Sequence, residues 1–415
     1  MLDILIKSFY LFIILPLLFF SCVGESNNKG NKDIIQTIIN NDYFVVDLDS
    51  PEYKDSICFS SFFKSVTCFR LDDKNEKSLI GKVNKFIAFN EKLYVLDSHI
   101  AKSLFVFNRD GKFVRKIGNL GQGPGEYTGI YDFTINFDQN EIILLDSHKI
   151  LFFDLEGKYL RSFNIKKDYY SSINSIQYCN GFLYSCIFPI AEKKKEDYLL
   201  QSINMNNGVV VNNFLKSDVH NKGFNGAFKS DYFLSKLVPP YLFRHIFMDT
   251  IFSITEKGMF PYIALMSKDL TINKDIEMQK NFDPYSFPEF LINLNTKNKI
   301  FLISNFFETL DYFYFQYRKS MNDNGLVYVF FDKNRKTIQQ SSVLRNDMVF
   351  KSGQPFVPYR FIFYDQKGVY EVIEDRRFND FLPFLWEKKL KEPFNDQLKG
   401  LNEDSNPVIF YYEFK

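Results

Sequence analysis

Two Asp-x-His pairs, Asp97-x-His99 and Asp146-x-His148, carry the side chains most able to do chemistry. A carboxylate and an imidazole at this spacing can ligate a metal or relay a proton. The pairs sit at equivalent places of a repeat, however, and equivalent turns of neighbouring units line one rim without converging on an ion. An Asp in such a turn accepts hydrogen bonds from nearby backbone amides, and turn chemistry is what we expect of both. His220 and His245 have no recognisable partners. With four histidines and no Gly-x-Ser-x-Gly, a Ser-His-Asp triad is not expected. The glycine-rich run Gly118–Gly125 lacks the Gly-Lys-Ser/Thr ending of a phosphate loop, and Pro124 removes one amide donor. It reads as a tight crossover between structural units. Cys58, Cys68, Cys179 and Cys186 allow three disulfide connectivities, or stand as free thiols in strands. None has the Cys-x-x-Cys spacing of a zinc or redox site. The 50 acidic residues include no Asp-x-Asx-x-Asx-Gly calcium loop. No catalytic, cofactor-binding or metal-ligating residue is assigned.

Cys22 is the exception. An apolar run from Phe9 to Phe20 follows Lys7 and ends at Ser21-Cys22. Twelve residues of helix span about 18 Å, short of a ~30 Å hydrocarbon core, so the run reads as a signal-peptide core. A small residue before a cysteine at this point resembles the lipobox of bacterial lipoproteins. That resemblance implies cleavage before Cys22 and a diacylglycerol on its sulfur. Residues 23–32, VGESNNKGNK, are polar and read as a flexible tether. The expected organisation is a signal peptide at 1–21, a lipidated Cys and tether at 22–41, and one large domain at 42–415.

The charge balance narrows the partners. Lys and Arg total 51 against 50 Asp and Glu, so no long-range field draws a phosphate backbone, and nucleic acid is not an expected partner. Lys193-Lys194-Lys195 lies between Glu192 and Glu196 and reads as a solvated loop.

The elements that carry these residues repeat. Lys92–Asp97, Leu104–Phe107 and Asp110-Gly111 return as Glu141–Asp146, Leu151–Phe153 and Glu156-Gly157. Asp97 and Asp146 are 49 apart, and Gly111 and Gly157 are 46 apart. Short β-runs separated by tight turns at this period are the mark of a propeller blade. The 49 Phe and 25 Tyr suit pleated, half-buried surfaces. Weaker units follow at Phe182–Tyr184, Asn206–Gly208, Asp249–Ile254, Tyr312–Tyr317, Val327–Phe331 and Phe361–Ile373. The expected fold is an all-β, six-bladed β-propeller of four-stranded antiparallel blades, with short helical insertions near the C-terminus. One such helix follows the stripe Phe378, Phe381, Leu382, Leu385 and Trp386, read as core packing, and stops before Pro393. The terminal run Pro407–Lys415 and the early run Phe44–Leu48 are expected to take part in closing the ring, which protects open sheet edges.

Around Lys116–Tyr127, and in the hairpin Phe107–Lys112, the chain resembles the six-bladed β-propeller lipoproteins of Bacteroidetes, relatives in style of NHL-repeat propellers. Asp249–Phe252, Pro261-Tyr262 and Asn406–Ile409 fit the same pattern. The resemblance implies a fold and an envelope location; members largely lack an assigned activity. Two functions remain open. One is a non-catalytic binding or scaffold module, held at the outer membrane by the lipid on Cys22 and gripping a glycan, peptide or envelope protein. The alternative is a hydrolase or lyase acting on polysaccharide or lactone through channel carboxylates and a divalent ion such as calcium. No other cofactor is expected, and a monomer is. An apolar or plugged channel favours the binder.

Overall fold

The computed structural model describes residues 43–147, 149–165, 173–187, 198–216, 233, 234, 237, 239–246, 248–255, 257–271, 287–300, 302–319, 325–352 and 360–415. Four short strands open it: β1 (Phe44–Asp47), β2 (Glu52–Tyr53), β3 (Ile57–Cys58) and β4 (Phe63–Arg70). The first blade is β5 (Lys85–Phe89), β6 (Lys92–Asp97), β7 (Ser103–Asn108) and β8 (Phe113–Ile117). A parallel pair, β9 (Asn119–Leu120) and β10 (Glu126–Tyr127), carries the chain onward. The second blade is β11 (Ile130–Asn136), β12 (Glu141–Asp146), β13 (Lys149–Asp154) and β14 (Tyr159–Asn164). The third is β15 (Ile173–Cys179), β16 (Phe182–Ile187), β17 (Tyr198–Ile203) and β18 (Val210–Lys216).

The fourth blade has β19 (Tyr241–Phe243), β20 (Thr250–Thr255) and β21 (Gly258–Met266), with Phe233 bridging Phe243 on the inner side. Helix α1 (Phe287–Thr296) leads to the fifth, β22 (Leu302–Glu308), β23 (Tyr312–Arg318), β24 (Leu326–Asp332) and β25 (Thr337–Ser341), followed by β26 (Leu344–Arg345). The sixth is β27 (Phe361–Tyr364), β28 (Gly368–Ile373) and, after helices α2 (Asp375–Trp386) and α3 (Phe394–Gln397), β29 (Val408–Phe414). These six small sheets form the six-bladed propeller. The middle strands are apolar runs buried on both faces: all six residues of β12 are buried, whereas β14 at the rim alternates.

The ring closes in the sixth blade, though not with the expected N-terminal segment. β29 pairs antiparallel with β28 on one side and with β4 on the other, from Val408↔Arg70 to Phe414↔Phe63. The early strand β1 instead runs parallel to β21, Phe44 opposite Ile263 and Asp47 opposite Met266. β2 then lies parallel to β25, and β3 parallel to β26. The first described segment is thus a belt that covers the outer edges of the fourth and fifth blades before it supplies the last strand of the sixth. A covered edge cannot template pairing with another chain.

Neighbouring blades interlock through one repeated device. Gly111, Gly157 and Gly208 each occupy the outer hairpin turn of a blade at positive φ, 80°, 84° and 70°. A Cβ on them would meet the Arg70 carbonyl at 2.0 Å, Ile117 at 3.1 Å and Phe163 at 2.5 Å, each a residue of the preceding blade's last strand. The same rim carries cations on rings: Lys116 lies 4.8 Å from the Phe105 centroid and Arg161 3.9 Å from Phe152, both between paired strands.

The helices bear out one expectation and correct another. The helical insertions expected near the C-terminus are α2 and α3, and α1 precedes the fifth blade as well. In α2, Phe378, Phe381, Leu382 and Leu385 are buried as expected, but Trp386 is 59% exposed. Trp386 is the last residue of α2 and lies about 80° round the helix from Phe378, on the flank of the stripe.

Candidate functional site

The six blades place a groove between the second and third. Phe163 of β14 and Ile165 just beyond it line one side; Ile173, Gln201, Ile203 and Asn213 line the other. The groove holds about 260 Å³, just below the usual range for small-ligand sites. The β17–β18 turn beside it is one residue longer than its counterparts. Gly208 N donates to Asn204 O four residues back, where Gly111 and Gly157 donate to carbonyls three residues back. Val209, carried outward by that turn, is 45% exposed at the lip.

The groove's polar group is an amide pair. The buried Gln201 donates through Nε2 to Asn213 Oδ1 at 2.7 Å. Each amide keeps further hydrogen-bonding capacity, Gln201 through Oε1 and Asn213 through Nδ2. The described lining residues include no titratable side chain. Such a surface can hold a neutral ligand by apolar contact and amide hydrogen bonds, and offers no general acid or base.

The inner strands bound a second space. Phe233, Leu234, Phe306, Phe361 and Phe363 enclose about 20 Å³ on the inner side of β22 and β27, room for a water molecule or so. Among the described residues, no three His, Cys, Asp or Glu gather where an ion could sit. Towards the other half of the ring the inner strands are joined by a satisfied ion pair. Lys85 Nζ lies 2.9 and 3.1 Å from the Asp132 carboxylate oxygens, and Asp132 also accepts from Ser175 Oγ and Ile176 N at 2.8 and 2.7 Å. This cluster ties the first three blades together.

The residues singled out from sequence fall into place as follows. Asp97 is buried and accepts from Gly81 N, Lys82 N and Ile100 N at 2.8–3.0 Å. Asp146 accepts from Thr128 Oγ1 and Ser147 N at 2.8 and 2.6 Å, and from Gly129 N at 3.2 Å. Each fastens its blade's entry loop, which is the turn role expected. His99 Nδ1 faces Ser98 Oγ and Asn84 Oδ1; His148 and His220 lie outside the described residues. His245 is buried, and desolvation pushes its imidazole down to about 4. In the Gly118–Gly125 run, Gly123 N donates to Glu126 Oε2 at 2.8 Å, so the chain's own carboxylate sits where a phosphate would. Cys58, Cys68, Cys179 and Cys186 are free thiols, and burial raises the last two well above the usual range. Cys22 lies outside the described residues. Gln201, Asn213 and the apolar walls went unnoticed in the sequence; the extra residue in Asn204–Val209 was the one available signal.

Comparison with solved structures shows the same fold elsewhere. A Bacteroides fragilis NCTC 9343 protein described as exported superposes with a TM-score of 0.67 at 17% identity, over 90% of this chain and 99% of that one. A member of the DUF4221 family from Bacteroides vulgatus ATCC 8482 gives 0.50 at 12% identity, over 85% and 97%. No curated protein sequence matches. The model of a domain of unknown function, DUF4934, matches residues 43–413.

Proposed function

The chain belongs to the DUF4934 family, and we propose that it is a non-catalytic binding module of the cell envelope. One observation carries the reading: the groove between the second and third blades is lined by apolar side chains and the Gln201–Asn213 amides, and its described lining has no titratable side chain. The hydrolase or lyase alternative needs converging channel carboxylates, and Phe306, Phe361 and Phe363 stand in that region. The ligand class is a neutral glycan or peptide segment, held by the Gln201–Asn213 amides against Phe163 and the isoleucines.

Envelope location rests on the Phe9–Phe20 run ending at Ser21-Cys22, with the lipid on Cys22 as the proposed anchor to the outer membrane. The similar Bacteroides fragilis fold belongs to a protein described as exported. No helix among the described residues is long and apolar enough to cross a membrane. Feeding cells an alkyne fatty acid should label the wild type and not Cys22→Ser; equal labelling would remove the anchor.

The binding role is tested with glycans and peptides released from the native envelope. Passed over immobilised protein, a subset should be retained by the wild type and lost from Val209→Arg, which puts a cation at the lip without touching the core. Equal retention by both proteins would contradict the groove as the site.

A further inference from the structure

The outer edges of the six blades are not alike. β21 and β25 are covered by the parallel strands β1 and β2. The edge strands β4, β8 and β14 carry Lys64 and Arg70, Arg115 and Lys116, and Arg161. Charge on an edge strand opposes pairing with another chain, because a stacked partner would desolvate it. β18 carries its one charge at its end, Lys216; over Val210–Leu215 no charged residue occurs, and no described strand pairs with its outer side. Its extended run is Val210–Phe214, since Leu215 turns to a φ of 56°. That is five residues, and β1 covers β21 with four. Val211 is 47% exposed and stands next to the groove lip at Val209.

We propose that β18 is a strand-addition site for an extended, uncharged peptide of a partner protein. The peptide lies parallel to β18 as a fifth strand of the third blade and sends one apolar side chain into the Phe163–Ile203 groove. Parallel orientation follows from continuity with the belt, because β1 and β2 occupy the outer edges of the next two blades in that sense. Backbone pairing would supply affinity and the groove would supply selectivity. This rests on the groove being the binding site, and narrows its ligand from neutral molecules in general to peptides.

A phage-displayed heptapeptide library selected on the immobilised full chain tests it. Selection should enrich uncharged, β-branched and aromatic sequences. A synthetic enriched peptide should protect amides of residues 210–215 from hydrogen exchange. It should bind Val211→Lys at least tenfold more weakly, and its alternately N-methylated form equally so. No enrichment, equal binding to Val211→Lys, or binding without protection at 210–215 would overturn strand addition. If envelope glycans are still retained in a Val209-dependent way in that case, the binding role stands and the peptide partner alone falls.

Discussion

Gly111 lies so close to Arg70 that a Cβ on it would sit 2.0 Å from the Arg70 carbonyl oxygen. The contact joins the first blade's outer turn to the strand that completes the sixth, and Asp72 N donates to Gly111 O at 2.8 Å beside it. Ring closure therefore depends on a missing side chain as well as on strand pairing.

Gly111→Ala should destabilise the fold by about 3 kcal/mol, summing left-handed strain and an unavoidable clash with backbone. Gly181 also has positive φ, 81°, but nothing lies within 4 Å of its Cβ position. Gly181→Ala should cost only about 1 kcal/mol. Urea melts of both variants measure the difference, and equal losses would mean that the Arg70 contact is unimportant.

Deletion of residues 407–415 should abolish recovery of soluble, cooperatively melting protein. β29 is an inner member of its sheet, bonded to β28 and β4 at once, so its loss separates β4 from the blade. A truncated chain that melts as the wild type does would refute this closure.

Asp132→Ala should cost about 3–5 kcal/mol, because it leaves Lys85 buried without its counter-charge. Lys85→Met should cost less, since Ser175 Oγ and the Ile176 and Phe133 amides still satisfy the carboxylate. Denaturant midpoints of the two variants would show the order; the reverse order would assign the work to Lys85.

His245 predicts acid sensitivity above the carboxylate range. Its imidazole is held down to about 4 by burial, while the unfolded value is near 6.5. Above pH 6.5 both states are neutral and nothing is lost. As pH falls from 6.5 towards 4, the unfolded chain takes up the proton first, and stability drops by roughly 3 kcal/mol in total. His245→Gln should flatten stability between pH 6.5 and 4.5. A slope that persists in the variant would place the proton elsewhere.

The legible parts were those encoded locally. Asp97 and Asp146, with Gly111 and Gly157, announce the blade because each turn needs its own carboxylate or positive-φ glycine. The belt was not legible: Phe44 pairs opposite Ile263, and nothing in Phe44–Leu48 distinguishes a parallel partner there from the C-terminal strand. The groove was missed for the same reason, since Phe163 and Ile203 look like ordinary strand residues until two blades bring them together. Trp386 completes the i, i+3, i+4, i+7, i+8 stripe but stands on its flank, and the spacing alone does not show how wide a face the neighbouring sheet covers.

The most direct test is to titrate the ligand retained from the envelope into the wild type and Val209→Arg, and to weigh that ligand by mass spectrometry after prolonged contact. Binding to the wild type should be saturable, binding to the variant at least tenfold weaker, and the ligand mass unchanged. Binding indifferent to Val209, or a ligand cleaved by the protein, would contradict the non-catalytic binding role.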